Sequence, residues 1–183
     1  DVVGLGKSVI ASAVARNLDL KTVIIAPPHL KTQWEDYKEE FGIRGSIVYS
    51  SGKIVDVYEK YQESRDPLLI ILDEAHRYRN EDTTDYKFLH QVCRSNPGNK
   101  VLLLTATPFN NDPKDVFELI KLFQTPGLST IKSVDNLSMR YRELIQRYKT
   151  LRRDMTKGLA QDEIDKESEI IASEQRRLIE PII

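Results

Sequence analysis

The sequence predicts an α/β fold, a parallel sheet flanked by helices, with a helical hairpin after it. Three observations point there. Four short runs are apolar at almost every residue, the pattern of strands covered on both faces. Segments of helical period separate these runs, and strand–helix alternation is what parallel crossovers require. Beyond Gly127 the apolar spacing becomes 4, 3, 4, 3, 4, the seam of packed helices.

Taken in order, Ser8–Leu18 is the first helical stretch, and "TVIIA" (Thr22–Ala26) is a strand stopped by Pro27 and Pro28. A helix is expected over Leu30–Phe41, then a β-branched strand, "SIVYS" (Ser46–Ser50), bounded by glycines. Lys53–Ser64 carries Ile54, Val57, Tyr58 and Tyr61 on one helical face. "LLIIL" (Leu68–Leu72) follows Pro67 and ends in carboxylates. After a helix over Asp85–Arg94 comes "KVLLLTAT" (Lys100–Thr107), framed by Pro97-Gly98 and Pro108. Pro113–Phe123 is a helix with Asp112 as its cap and Pro113 in its first turn. The seam consists of Leu137, Tyr141, Leu144, Tyr148, Leu151 and Met155. It is answered by Ile164, Ile171 and Leu178 at intervals of seven, with Ala160 and Glu174 nearby and Lys157-Gly158 between the runs. Residues 1–127 are therefore expected to form one lobe, incomplete at its amino end, and 128–183 a hairpin appended to it.

Composition sets the bounds. A chain of 183 residues, 40% hydrophobic and 30% charged, holds one ordinary core, and the disordered class is excluded. A net charge of −1 argues against a uniformly basic nucleic-acid binder but leaves local basic patches open. The single cysteine, Cys93, allows neither an intrachain disulfide nor a cysteine metal cluster and fits a reducing cytosol. No apolar run approaches the roughly 20 residues of a membrane helix.

Three motifs carry chemistry. "DVVGLGKS" ends as a phosphate loop does: Gly4, Leu5, Gly6, Lys7 and Ser8 open directly onto a helix. Amides of such a turn cradle phosphates, the lysine neutralises their charge and the hydroxyl reaches Mg²⁺. A structural glycine turn shares the spacing, and Asp1 stands where the general pattern has its first glycine. Next, "LLIILDEAH" places Asp73 and Glu74 just past the carboxyl end of an apolar strand, the edge at which α/β sheets bind ligands. Asp73 there can hold Mg²⁺, and Glu74 can orient and deprotonate water. Capping of the next helix is the bland alternative, and a phosphate loop 65 residues upstream outweighs it. Last, Thr105 and Thr107 of "TATPFNN" emerge at the same edge, where hydroxyls can bond the carboxylates or His76.

Together with "APPHLKTQW" (26–34) and the "RYRN" behind "DEAH", these motifs resemble the second superfamily of helicases. More narrowly, they are similar to the Swi/Snf-type double-stranded DNA translocases, bacterial relatives included. The resemblance covers Asp1 to about Phe123 and explains Asp1, because this family's loop begins with aspartate; Val2 departs from its usual glutamate. The resemblance implies a RecA-like lobe that binds ATP and Mg²⁺ and moves along duplex DNA. Carried over, Lys7 binds phosphate, Ser8 and Asp73 the metal, and Glu74 activates water. His76 links the hydrolysis site to Thr105 and Thr107. Pro28, His29, Lys31, Thr32 and Gln33 contact phosphates of the tracked strand without reading sequence. Trp34 reads as packed core before a base-stacking platform.

The resemblance also implies a second RecA-like lobe elsewhere in a longer chain, a larger protein complex, and a cytoplasmic, nucleoid-associated setting. Two readings of residues 140–169 stay open: a basic helix facing an acidic one, or Arg147, Arg152 and Arg153 gripping the DNA backbone. Alternatives for the whole are a strand-separating helicase, a restriction-system motor, or a nucleotide-responsive protein-binding module.

Overall fold

The computed structural model describes residues 6–106, 112–128, 136–156 and 161–180. The chain divides into two compact units, Asp1–Ala106 and Thr107–Ile183.

In the first unit, helix α1 (Lys7–Leu18) leads into β1 (Lys21–Ala26), and a 3-10 turn (Pro28–Leu30) leads into α2 (Lys31–Phe41). Then come β2 (Ile47–Ser50), α3 (Ile54–Tyr61), β3 (Leu68–Leu72), a 3-10 turn (Ala75–Tyr78), α4 (Thr84–Arg94) and β4 (Lys100–Leu103). The four strands are parallel in the order β2-β1-β3-β4, with Ile24 facing Val48 on one side and Ile71 on the other. The expected α/β class with a parallel sheet is what the chain forms.

Burial explains why the strands read as unbroken apolar runs. Every residue of β3 is at most 1% exposed. Ile24, Ala26, Leu69 and Ile71 join Ala11 and Ala15 of α1 and Trp34 of α2 in one core on one face of the sheet. Their neighbours Val23, Ile25, Leu68, Ile70 and Leu72 point the other way by strand alternation and are equally buried. On that side α3 and α4 pack on each other, Tyr58 stacking on Phe88 with centroids 4.4 Å apart.

Local chemistry sets the boundaries. Thr83, two residues before the expected start at Asp85, caps α4 by accepting from Tyr86 N at 3.3 Å. Helix α2 stops at Gly42, whose φ of 61° suits glycine, with Ile43 N returning to Lys38 O at 3.0 Å. Leu30 falls in the 3-10 turn, not in the helix expected from it, because the Pro27-Pro28 pair delays regular bonding. β4 ends at Leu103, short of the expected Thr107; Leu104 to Ala106 are irregular, and Thr107 to Asn111 lie outside the described residues.

In the second unit α5 (Pro113–Lys121) is capped as expected, Asp112 accepting from Lys114 N at 2.9 Å. Val116 and Ile120 of α5 cluster with Leu137 and Tyr141 of α6 (Leu137–Met155) and with Ile179 of α7 (Gln161–Ile179). Leu144 and Leu151 cluster with Ile164 and Ile171. The early residues of α6 thus meet the late residues of α7, and the later meet the earlier, which makes the pair antiparallel. Arg147 fastens it, reaching Glu167 Oε1 at 2.8 Å and Glu174 Oε2 at 2.7 Å. At Arg147 the facing of opposite charges is therefore realised, whereas Arg152 and Arg153 are exposed. Lys157-Gly158 and Ala160 lie outside the described residues.

Candidate functional site

A parallel sheet puts all its strand ends on one edge, so the segments after Ala26, Ser50, Leu72 and Leu103 converge there. A short connection at Asp19 and Leu20 turns α1 back from β1, so the amino end of α1 also lies towards that edge.

The centre is the exit of β3. Asp73 N donates to Ile25 O at 2.8 Å, and Ala75 N donates to Leu104 O at 2.9 Å. The chain is thus tied to both neighbouring strands around Glu74. Glu74 itself adopts φ 53° and ψ 48°, a left-handed conformation that a non-glycine residue holds at a cost of about 1–2 kcal/mol. Such a conformation persists only where the surroundings impose it, and the two flanking ladder bonds do so here.

Asp73 is 7% exposed. Its Oδ1 accepts from Glu74 N at 2.9 Å and its Oδ2 from the Trp34 indole N–H at 2.8 Å. Both partners are donors, so each carboxylate oxygen is satisfied by a fixed N–H of the protein. Glu74 is half-exposed, its Oε2 lying 3.1 Å from His76 Nδ1. The Thr105 hydroxyl is buried with no hydrogen-bond partner among the described residues.

At the start of α1, Gly6 has φ 79°, and Ile10 N to Gly6 O (2.8 Å) is the first bond of the helix. The amides of Lys7, Ser8 and Val9 precede it, and no side chain caps them among the described residues. An uncapped helix start behind a left-handed glycine is the arrangement that receives an anion. Gly4 and Leu5, with Asp1 and Val2, lie outside the described residues.

Pro28, His29, Lys31, Thr32 and Gln33 are all exposed, and together they form the surface at the start of α2. Trp34, next in sequence, turns inward and is 1% exposed, the packed position its type favours. Its bond to Asp73 was not anticipated from sequence. Neither was the role of Asn99, whose Oδ1 accepts from Leu68 N (2.8 Å) while its Nδ2 donates to Val92 O (3.1 Å). That side chain ties the end of α4 to the start of β3. Asparagine behind a Pro-Gly turn was its only signal.

Among the described residues no group of three or more His, Cys, Asp or Glu could hold a metal unaided. A single well-held carboxylate instead suits Mg²⁺, which is bound by one or two carboxylates with phosphates and water. A cavity of about 390 Å³ beside Lys38, Arg44 and Ser46 opens before the amino end of β2 and lies away from this edge. Among the described residues no helix is long and apolar enough to cross a membrane.

Comparison with known proteins gives a consistent result. A family model described as SNF2-related domain matches residues 39–169, more than half of the chain. A Bacillus subtilis protein named as an uncharacterized ATP-dependent helicase, YqhH, is 33% identical over 147 residues. That match takes in 69% of this chain and 26% of the relative. The Arabidopsis thaliana protein CHROMATIN REMODELING 19 is 33% identical over 85 residues, 45% of this chain and 11% of that one. A solved Sulfolobus solfataricus SWI2/SNF2 ATPase core in complex with dsDNA superimposes with a TM-score of 0.62 at 16% identity. It covers 99% of this chain and 38% of that one, and shares the fold. This chain thus spans about a quarter of the Bacillus relative. From the extent of the family match and the shared fold, the chain belongs to the SNF2-related domain family.

Proposed function

We propose that this chain is the nucleotide-binding lobe of an ATP-dependent motor that tracks along duplex DNA. The observation that carries the reading is the exit of β3, where both oxygens of Asp73 accept from fixed N–H donors and Glu74 is held left-handed between two flanking backbone bonds. A strained acidic pair at the ligand-binding edge of a parallel sheet suits phosphate-ester hydrolysis.

Each residue then has a role. The α1 amides and Lys7 bind the β- and γ-phosphates, with Gly4, Leu5 and Gly6 shaping the loop. Ser8 and Asp73 hold Mg²⁺, which supplies charge neutralisation at the phosphates. Glu74 takes the proton of the attacking water, its Oε2 steadied by His76 Nδ1 at 3.1 Å. The buried Thr105 hydroxyl, which has no hydrogen-bond partner among the described residues, couples this site to motion together with Thr107. Pro28, His29, Lys31, Thr32 and Gln33 bind the phosphate backbone, an interaction weakened by salt. We assign 1–127 to the lobe and 128–183 to the appended hairpin. A further RecA-like lobe in the longer protein supplies the arginine that stabilises the transferring phosphoryl group, an effect worth roughly 10³–10⁵ in rate. The present chain alone accordingly binds ATP weakly and turns it over slowly.

The test is ATP hydrolysis by the full-length protein with and without duplex DNA. Lys7→Ala and Glu74→Gln should each lower the DNA-stimulated rate by about 10²-fold or more. Full activity in either variant would overturn the assignment. The naming of the Bacillus relative as a helicase keeps strand separation as a second reading. Displacement of a third strand without unwinding supports duplex tracking, and unwinding of a forked duplex supports the alternative.

A further inference from the structure

We infer that Trp34 is a positioning residue for Asp73, and that Gln33 and Tyr37 carry the state of the α2 surface to it. The inference rests on the reading above and deepens it. The indole has one donor and no acceptor, and it is committed to a carboxylate 39 residues away. Both residues are buried, Trp34 to 1% and Asp73 to 7% exposure. With Glu74 N on Oδ1 and the indole on Oδ2, the carboxylate is anchored at both oxygens and cannot turn about its terminal torsion. About four lone-pair sites belong to an ionised carboxylate, so the sites left over remain for a cation. Groups that orient a metal ligand in this way typically govern metal affinity by 10–100-fold.

The indole is also the inner end of a continuous set of contacts. Gln33 Nε2 donates to the Tyr37 hydroxyl at 3.0 Å. The Tyr37 ring stands edge-on to Trp34, with centroids 6.0 Å apart and planes at 83°. Gln33 is exposed in the surface assigned to the phosphate backbone. A duplex that engages the Gln33 amide removes it from Tyr37, and the ring resting on Trp34 is freed to shift. Trp34 then changes its hold on Asp73. Metal affinity and DNA binding are linked through this path, and linkage acts equally in both directions.

The experiment measures Mn²⁺ with ADP bound to the full-length protein, read by electron paramagnetic resonance without turnover, with and without duplex DNA. Trp34→Phe keeps a ring and removes the N–H; it should weaken Mn²⁺ by about 10–100-fold. Replacement of Trp34 by β-(3-benzothienyl)alanine, which keeps the shape and loses only the donor, should do the same and guards against misfolding of the Phe variant. Tyr37→Phe, which lacks the acceptor for Gln33, should narrow the difference between Mn²⁺ affinities with and without DNA. Unchanged Mn²⁺ affinity in both Trp34 variants, beside a large loss in Asp73→Asn, overturns the inference and leaves the proposed function standing. Unchanged affinity in Asp73→Asn itself overturns both.

Discussion

Glu74 shows how one residue can be set against its own backbone preference. Its left-handed conformation removes about 1–2 kcal/mol of stability, held in place by Asp73 N on Ile25 and Ala75 N on Leu104. Glycine adopts that conformation freely but loses more chain entropy on folding, by roughly 0.5–1 kcal/mol. Glu74→Gly is therefore expected to leave thermal stability unchanged or raise it by up to about 1.5 kcal/mol, while hydrolysis disappears. Calorimetry beside an ATPase assay checks this, and a clear loss of stability would show that the conformation carries no strain. The Asp73–Glu74 pair itself was legible in the sequence because its strand-end carboxylates follow a phosphate-loop pattern 65 residues upstream. The strain was not, since nothing in "LDEAH" marks a positive φ. The Trp34–Asp73 bond was equally hidden, for an indole donor has no sequence periodicity and its partner is 39 residues away.

At the scale of elements, strands and hairpin were legible for different reasons. Runs such as Leu68–Leu72 are apolar throughout because both faces are covered. The hairpin announced itself through the 4-3 seam, and Leu144, Leu151, Ile164 and Ile171 do pack together. Ends were less legible because side chains set them: Thr83 caps α4, and a proline pair displaces the start of α2. Beyond the seam, Arg147 ties α6 to α7 between Glu167 and Glu174. All three side chains are more than a third exposed, so the pair of bridges is worth only about 1 kcal/mol. Arg147→Met should lower stability in urea by about that amount at low salt and by less at high salt, as screening removes the bridges. A loss independent of salt would assign the effect to packing of the arginine stem. The same bridges occupy Arg147 on the α7 side, so any duplex contact from α6 falls to its exposed cations, Arg152 and Arg153 among them.

Across the whole molecule, burial of weak acids gives the fold a common response to alkali. Burial pushes the Cys93 thiol up to about 12 from its ordinary 9.0, and the Tyr78 phenol up to about 12 from 10.0. Burial raises Tyr141 of the second unit in the same direction. A raised value means that the folded state keeps the proton after the unfolded chain has released it. Stability is thus fully present below the unfolded values and falls as pH rises from about 9 towards 12. The Tyr78 hydroxyl is 4% exposed by residue and has no hydrogen-bond partner among the described residues. Tyr78→Phe should therefore be tolerated at neutral pH and should flatten the alkaline decline of Tm. An unaltered slope would show that the phenol ionises as easily folded as unfolded.

The bent backbone at Glu74 also bears on how the motor proposed above could decay over generations. Glutamate and glycine codons differ by a single base, and under the proposed function that one change would exchange hydrolysis for an equal or firmer fold. A copy released from selection for movement on DNA would meet no folding barrier along this route. It would persist as a well-folded nucleotide-binding protein long after it had ceased to be an engine.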